Sequence, residues 1–248
     1  MFQMPDAVIL AGGAGLRLKS VTGETPKPMA KIGERPFLEI LFHQLKRQGL
    51  VRIILSVGQK QQVIREHFGE NTSGLRLCYS LEQMPLGTGG ALRQSVAHVL
   101  TKNFLALNGD SYTDVNLEQL MLAHLNSNAD VTMAVIPESR CDAGSVVFDQ
   151  DGKVTAFAEK QFVQGSSYLS AGIYMLNKDL VEEIASGVNI SLEEHLFPRW
   201  LASGKLIQAF VAPARCIDIG TPERYREAQG LLAKVESAES IIQNEDQP

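Results

Sequence analysis

The sequence predicts an α/β fold in which a mostly parallel sheet carries helices on both faces. Three observations carry that prediction. Short apolar runs rich in β-formers alternate with amphipathic helical stretches, as in parallel sheets buried on both sides. The first run ends in a glycine cluster, and two later runs end in an aspartate, at the strand ends where open α/β sheets gather ligands. A chain of 248 residues, 44% of them hydrophobic, suits one sizeable core, since cores begin to split only near ~250–300 residues.

The strands are expected at Ala7–Leu10, Val51–Val57, Leu75–Leu81 and Phe104–Leu107. Between them Phe37, Leu38, Leu41, Phe42 and Leu45 fall on one face of a helix over Pro36–Gln48, with Pro36 suited to the first turn and Gly49 to the stop. Helical patterns also run over Thr88–Leu100 and Leu117–Leu125. After about residue 130, Ser145–Phe148 and Val154–Phe157 flank Asp151–Gly152, a hairpin signal. Ser191-x-x-Glu194 reads as a capping box opening a helix through Trp200, and Ile217–Ile219 leads into a helix start at Thr221-Pro222-Glu223. No internal repeat is visible. Residues 1–235 are expected to form one domain, with a nucleotide-binding N-terminal part and a sugar-phosphate-binding part at roughly 130–220. The polar, aperiodic stretch 236–248 is expected to be a flexible tail.

Composition narrows the partners. The net charge is -5 and no block of five or more Lys or Arg occurs, which speaks against nucleic acid and against a polybasic membrane contact. No run approaches a membrane span and the N-terminus has no targeting pattern, so a cytoplasmic protein is expected. The three cysteines, Cys78, Cys141 and Cys216, lie far apart without Cys-x-x-Cys spacing and fit a reducing compartment. His43, His67, His98, His124 and His195 have no metal-ligand spacing.

The stretch VILAGGAGLRLKSVTGETPKPMA, Val8 to Ala30, holds the first candidate site. A dinucleotide fingerprint would place its third glycine at Leu18, and neither Gly152-Lys153 nor Gly204-Lys205 is followed by the Ser or Thr of a Walker loop. What remains is a strand, then a glycine turn whose bare backbone admits an anion, then Arg17 and Lys27. Alone, this fits a tight turn with incidental surface cations equally. LALNGDSYTD and CIDIGTPERY place Asp110 and Asp218 after strands, where carboxylates can hold Mg²⁺ or merely cap turns.

Together these residues resemble the sugar-1-phosphate nucleotidyltransferases, the nucleoside-diphosphate-sugar pyrophosphorylases, from Val8 to about Ala228. The matching words are LAGGAGLRL, TPKPM, PLGTGGAL, LNGDSY, EK, AGIY and DIGTPERY, in the family's order. KPMAKIGERPFLEILFHQLKRQG, RIILSVG and YSLEQMPLGTGGAL resemble the members that guanylylate D-glycero-α-D-manno-heptose 1-phosphate. The resemblance implies a three-layer, Rossmann-like mixed sheet of the nucleotide-diphospho-sugar transferase type. It implies joining a sugar 1-phosphate to a nucleoside triphosphate with release of pyrophosphate, for surface polysaccharide synthesis, with Mg²⁺ as cofactor. Arg17 and Lys27 would be the catalytic cations, on the leaving pyrophosphate and on the joining phosphates. Leu10, Gly12, Gly13, Gly15, Glu82, Gly87 and Thr88 would hold the nucleotide. Gly144, Glu159, Lys160 and Gly172 would hold the sugar phosphate, and Asp110 and Asp218 the metal.

The residue types suit that chemistry. A phosphate monoester, with a second pKa of ~6, is already mostly dianionic at neutral pH and needs no general base; the task is to bring two polyanions together with placed cations. Glu82, five residues before Gly87, can accept from both N1–H and N2–H₂ of guanine, which supports GTP; Gln83 is the competing reader if the register moves by one. Leu16, Ala143 and Ser170 depart from the family's Thr, aromatic and Asn. The sugar stays open among heptose, mannose, glucose and N-acetylmuramic acid 1-phosphates, the nucleotide among GTP, UTP, dTTP and CTP. A catalytically silent sugar-nucleotide-binding subunit and a nucleotide-sugar-dependent glycosyltransferase are the rival readings, and a homo-oligomer stays open.

Overall fold

From β1 (Ala7–Leu10) the chain passes through the glycine turn to α1 (Lys19–Thr22), a ribbon of β2 (Lys31–Ile32) and β3 (Arg35–Pro36), and α2 (Phe37–Arg47). Next come β4 (Arg52–Val57), α3 (Gln61–Phe68), β5 (Asn71–Thr72), β6 (Leu75–Leu81), α4 (Gly87–Ser95), β7 (Asn103–Asn108), β8 (Ser111–Thr113) and α5 (Leu117–Ser127). The second half holds β9 (Val131–Ile136), β10 (Ser145–Phe148), β11 (Val154–Ala158), β12 (Tyr168–Asn177), α6 (Lys178–Glu182), a π-turn at Leu192–Leu196, α7 (Phe197–Ala202), β13 (Ile207–Val211) and β14 (Cys216–Asp218). A last helix covers 222–232. This computed structural model describes residues 3–13, 15–58, 60–137, 144–161 and 168–232. The predicted tail at 236–248 and Ala143 lie outside the described residues.

The strand runs are apolar throughout because each faces two cores. Ala7 and Ile9, Ile53 and Leu55, and Leu105 and Leu107 belong to one hydrophobic cluster. Their neighbours Val8, Ile54, Phe104 and Ala106 belong to the other. On the first face α2, α3 and α5 supply Leu38, Phe42, Ile64, Phe68 and Leu120; on the second, α4, α6 and α7 supply Leu92, Leu180, Phe197 and Trp200. Period-2 alternation along each strand therefore sends residues into two packed layers.

β1 lies between β4 and β7 and parallel to both, and β6 continues the parallel order beyond β4. β12 then runs antiparallel to β7 and pairs with β9 and β10, so the sheet is mixed. This parallel half brings the carboxyl ends of β1, β4, β6 and β7 to one edge. β14 stands off the main sheet, pairing with β8.

Most element ends follow local chemistry. Pro36 occupies the position before the first turn of α2 rather than the turn itself. Gly49, at φ +85°, stops that helix, with Leu50 N–H donating to Leu45 O at 3.1 Å. The helix predicted over Thr88–Leu100 is shorter: α4 ends at Ser95 and tightens into a 3₁₀ turn at Val96–His98. The capping box at Ser191 is half made. Ser191 Oγ accepts from Glu194 N, but Ser191 N–H donates to His195 Nδ1 instead of to Glu194. The first turn is then a wide π-turn, Leu196 N–H reaching Ser191 O, before Pro198, which has no N–H to give, opens α7.

Candidate active site

The glycine turn sits at the parallel edge of the sheet. Ala11 N–H is tied to Ser56 O, and Gly109 N–H to Leu10 O, so the backbone of Leu10 and Ala11 anchors the turn on both sides. Beyond it Gly12, Gly13 and Gly15 line a cavity of about 330 Å³ with Gly58, Glu82 and Pro85. Two of these glycines are required by space. A Cβ on Gly12 would overlap Glu82 Oε1, and at Gly15, where φ is +61°, it would stand 3.1 Å from Lys27 Cβ. The cavity is also lined by Lys19 and Lys60, both paired with Glu24 at 2.8 and 2.7 Å.

Glu82 closes the floor of that cavity. It is 8% exposed; Ser56 Oγ donates to its Oε1 at 3.0 Å and Leu86 N–H to its Oε2 at 3.4 Å. No cation pairs with it among the described residues. Such a carboxylate has acceptor capacity left over in a place where burial makes unused capacity costly. A ligand with two adjacent N–H donors fits that need.

The predicted cations and aspartates converge beside the turn. Lys27 Nζ lies 2.5 Å from Asp110 Oδ2, with the lysine side chain 11% exposed. Asp110 follows β7, and its carbonyl accepts from Ile219 N–H at 3.0 Å. The β8–β14 pairing sets Asp218 opposite Ser111, next to Asp110. A Cβ on Gly220 would stand 3.8 Å from Lys27 Nζ and 3.9 Å from Arg17 Nη2, so both cations share this corner. Arg224, from the last helix, pairs with Asp218 Oδ2 at 2.9 Å. No group of three or more His, Cys, Asp or Glu assembles among the described residues. The two aspartates still fit a hard divalent cation, because such an ion needs only one or two carboxylates when substrate phosphates and water complete its shell.

A second cluster lies across the sheet edge, at the ends of β11 and β12. Gly144 O accepts from Ser170 N–H at 2.8 Å, and a Cβ on Gly144 would stand 2.6 Å from Phe157 Cζ and 3.1 Å from Glu159 Oε2. Gly172, at φ +69°, occupies the irregularity in β12, where a Cβ would crowd Asn108 Nδ2 at 2.8 Å. Burial, and then the negative charge of Glu193, push the Glu159 carboxyl above its ordinary range. Lys160 Nζ lies 3.7 Å from Glu159 and 3.9 Å from Glu194. Ser170 Oγ bonds the fully buried Tyr174 hydroxyl at 3.0 Å, and burial raises that phenol well above its usual value.

Arg17, Lys27, Asp110 and Asp218 thus form one group, Gly12, Gly13, Gly15 and Glu82 a second beside it, and Gly144, Glu159, Lys160 and Gly172 a third. Gly87 and Thr88 pack against the segment around Ile190. The Thr88 hydroxyl donates to Glu193 Oε2 at 2.5 Å and accepts from Leu192 N–H at 2.8 Å, and a Cβ on Gly87 would meet Ile190 O at 2.6 Å. Neither lines the glycine cavity. The reading of the sequence missed Arg224, Glu193 and Glu194. Arg224 stood inside the quoted DIGTPERY, and an arginine six residues after a metal-type aspartate was its only signal; the two glutamates were absorbed into a helix cap.

Residues 6–235 match the family described as Nucleotidyl transferase. The chain is 37% identical over 227 residues to the D-glycero-alpha-D-manno-heptose 1-phosphate guanylyltransferase of Aneurinibacillus thermoaerophilus, covering 92% of this chain and 98% of that one. It is 38% identical over 222 residues to the protein of the same name from Campylobacter jejuni subsp. jejuni, covering 89% and 96%. Among solved structures, HddC from Yersinia pseudotuberculosis complexed with GMP-PN superposes with a TM-score of 0.80 at 34% identity, over 92% of this chain and 100% of that chain. A putative glucose-1-phosphate thymidylyltransferase from Bacillus anthracis shares the fold, with a TM-score of 0.81 at 19% identity over 91% and 94%.

Proposed function

The chain belongs to the nucleotidyl transferase family, and we propose that it transfers GMP from GTP to D-glycero-α-D-manno-heptose 1-phosphate, giving GDP-heptose and pyrophosphate. It is a sugar-1-phosphate nucleotidyltransferase. An oxygen of the sugar phosphate attacks the α-phosphorus of GTP; the new P–O bond forms as the bond to the β-phosphate breaks, and pyrophosphate leaves with the electron pair. The sugar phosphate is largely dianionic at neutral pH, so no side chain has to remove a proton. The protein's work is to hold two polyanions in line and neutralise them.

One observation carries the reading: Lys27, Arg17, Asp110 and Asp218 meet at one corner around Gly220, with Lys27 packed against Gly15 of the glycine turn. Lys27 contacts the α-phosphate and the incoming phosphate, and Arg17 the leaving pyrophosphate. At an effective dielectric near 20, one charge pair at ~4 Å is worth ~4 kcal/mol before desolvation, so two cations offset a large part of the repulsion. Mg²⁺, held by Asp110 and Asp218, would supply further neutralisation of the phosphates. Gly12, Gly13 and Gly15 let backbone N–H groups approach the triphosphate. Glu82, buried without a cation, reads the guanine edge. Glu159 accepts from sugar hydroxyls, with Lys160 on the sugar phosphate and the Gly144 and Gly172 backbones lining the pocket. No described helix is long and apolar enough to cross a membrane, and we place the reaction in the cytoplasm, where nucleoside triphosphates are made.

The test is pyrophosphate release from the purified protein with Mg²⁺, each of GTP, UTP, dTTP and CTP, and heptose, mannose, glucose and N-acetylmuramic acid 1-phosphates, with product masses recorded. GTP with the heptose 1-phosphate is expected to give the highest kcat/KM. A decisive preference for another pair overturns the assignment of substrates; nucleotide binding without turnover for any pair overturns the assignment as an enzyme.

A further inference from the structure

The glycines of PLGTGGAL, of which Gly87 was expected from the resemblance to hold the nucleotide, are packed against a segment about one hundred residues away. A Cβ on Gly87 would stand 2.6 Å from Ile190 O, one on Gly89 would stand 2.5 Å from Leu196 Cδ1, and one on Gly90 would overlap Val188 O. Backbone bonds close the same seam: Ile190 N–H to Leu86 O at 2.8 Å, and Gly89 N–H and Gly90 N–H to Ile190 O at 2.9 and 3.2 Å. Thr88 adds its hydroxyl, taking Leu192 N–H and giving its proton to Glu193 Oε2 at 2.5 Å. Ser191 Oγ donates to the same oxygen at 3.1 Å. Glu193 Oε1 accepts no hydrogen bond among the described residues.

Each end of this seam touches one of the two pockets. On the nucleotide side, Leu86 N–H donates to Glu82 Oε2 at 3.4 Å, beneath the glycine cavity. On the sugar side, Glu194 reaches Lys160 at 3.9 Å, and Glu193 stands close enough for its charge to push up both the Glu159 carboxyl and the Tyr174 phenol. We propose that the Gly87–Gly90 turn is the joint between the nucleotide and sugar-phosphate pockets, with Thr88 and Glu193 as positioning residues that set the sugar pocket relative to the bound nucleotide. This rests on the assignment of the two pockets to nucleotide and sugar phosphate. Thr88 fixes one oxygen of Glu193, leaving the other for the pocket that Glu159 faces. A methyl in place of the hydroxyl would leave Leu192 N–H without its acceptor and Glu193 Oε2 with Ser191 Oγ as its remaining donor, so the tie between Gly87–Gly90 and the π-turn that carries both glutamates would be lost.

The experiment uses Thr88→Val, Thr88→Ser, Glu193→Gln and the double variant Thr88→Val/Glu193→Gln. KM is measured for each substrate with the nucleotide and sugar 1-phosphate that the wild-type protein turns over fastest, and melting temperatures are measured alongside. Thr88→Val should raise KM for the sugar 1-phosphate about tenfold or more, as the loss of one bond to a charged group implies, with KM for the nucleotide within about twofold. Thr88→Ser, which keeps the hydroxyl and folds if any variant does, should restore the sugar KM, and the double variant should be no worse than the poorer single one, as for residues acting through one bond. Equal rises in both KM values, additive effects in the double variant, or a Thr88→Ser enzyme as impaired as Thr88→Val would overturn the proposal. Calorimetric titration of the same variants with GMP and with the sugar 1-phosphate reads the same split without turnover. A wild-type preference for an unexpected substrate pair sinks the substrate assignment and leaves this comparison intact.

Discussion

Replacing Glu82 by glutamine changes one atom in a nearly sealed place, and its consequence for nucleotide choice can be worked out. The carboxylate is 8% exposed, accepts from Ser56 Oγ and Leu86 N–H, and pairs with no cation among the described residues. Guanine offers N1–H and N2–H₂ on one edge, so a carboxylate accepts from both. A glutamine accepts from one and turns its own N–H₂ toward the other donor. The variant therefore loses one hydrogen bond to a charged group, worth ~1.5–3 kcal/mol. At ~1.36 kcal/mol per factor of ten, kcat/KM for GTP should fall roughly 10- to 150-fold.

For UTP the same substitution has the opposite sense. Uracil presents one N–H donor between two carbonyls, a pattern that a primary amide matches with one acceptor and one donor, so UTP use should hold or rise. The protein itself should lose little in stability, because the glutamine oxygen still accepts from Ser56 Oγ and the bond given up, from Leu86 N–H, is long at 3.4 Å. The assay is kcat/KM for all four nucleotides by pyrophosphate release, with melting temperature as control. Equal losses on every nucleotide would show that Glu82 supports the Gly12 turn rather than reading the base. A selective loss of GTP use from Gln83→Ala instead would move the reader by one position.

Three further outcomes follow from other contacts. Arg224→Met removes the cation that holds Asp218 at 2.9 Å; loss of a group that orients the aspartate proposed to hold Mg²⁺ should lower the rate by about 10- to 100-fold and raise the Mg²⁺ concentration needed for half-maximal activity, and an unchanged Mg²⁺ titration would refute this. Gly90→Ala, a change worth ~1 kcal/mol in favour of an ordinary helix, should here destabilise, because the methyl overlaps Val188 O and overpacking costs ~1–3 kcal/mol. Gly230→Ala, in a helix with open space at that position, should stabilise, so melting temperatures moving in the same direction would defeat the packing argument. His124, 2% exposed and bonded through Nδ1 to Thr132 at 2.9 Å, has its pKa pulled by burial from its ordinary 6.5 to about 4. The unfolded chain takes up that proton first as pH falls, so the stability is full above 6.5 and is lost toward 4, by ~2 kcal/mol at pH 5. Melting temperature should therefore drop more between pH 7.5 and 5 in the wild-type protein than in His124→Gln; parallel pH profiles would exclude His124 as the cause.

The sheet was legible in the sequence because burial on both faces removes the usual alternation and leaves plain apolar runs such as AVIL and FLAL. The positions of Asp110 and Asp218 were legible because each stands at or just after a strand end, whereas Lys27 lies in a 3₁₀ turn well beyond β1 and was reached through the family resemblance. The glycines split into two kinds that sequence does not separate. Gly12 and Gly15 clear space around the cavity, whereas Gly87, Gly89 and Gly90 clear space for Ile190, Leu196 and Val188, and only a contact across a hundred residues distinguishes them. Glu193 and Glu194 were hidden by a local signal that is itself half true, since Ser191 does cap Glu194 N–H while the two carboxylates are engaged with Thr88 and Lys160.

The pairing of the site's charges accounts for how a chain of net charge -5 keeps cations ready for two polyanions. Lys27 rests on Asp110, Arg224 on Asp218, and Lys160 between Glu159 and Glu194. Lys27 and Arg224, close-paired and largely buried, are thereby fixed before any phosphate arrives, so little reorganisation is left for the moment when negative charge develops, the condition under which placed charges contribute most to catalysis. Arg17 differs. It is exposed and has no ion pair among the described residues, yet its guanidinium shares the Gly220 corner with Lys27. A cation without a resting partner gives up no ion pair on meeting an anion and can let it go again, which suits the group assigned to the pyrophosphate that departs. The paired Lys27 suits the phosphates that stay in the product.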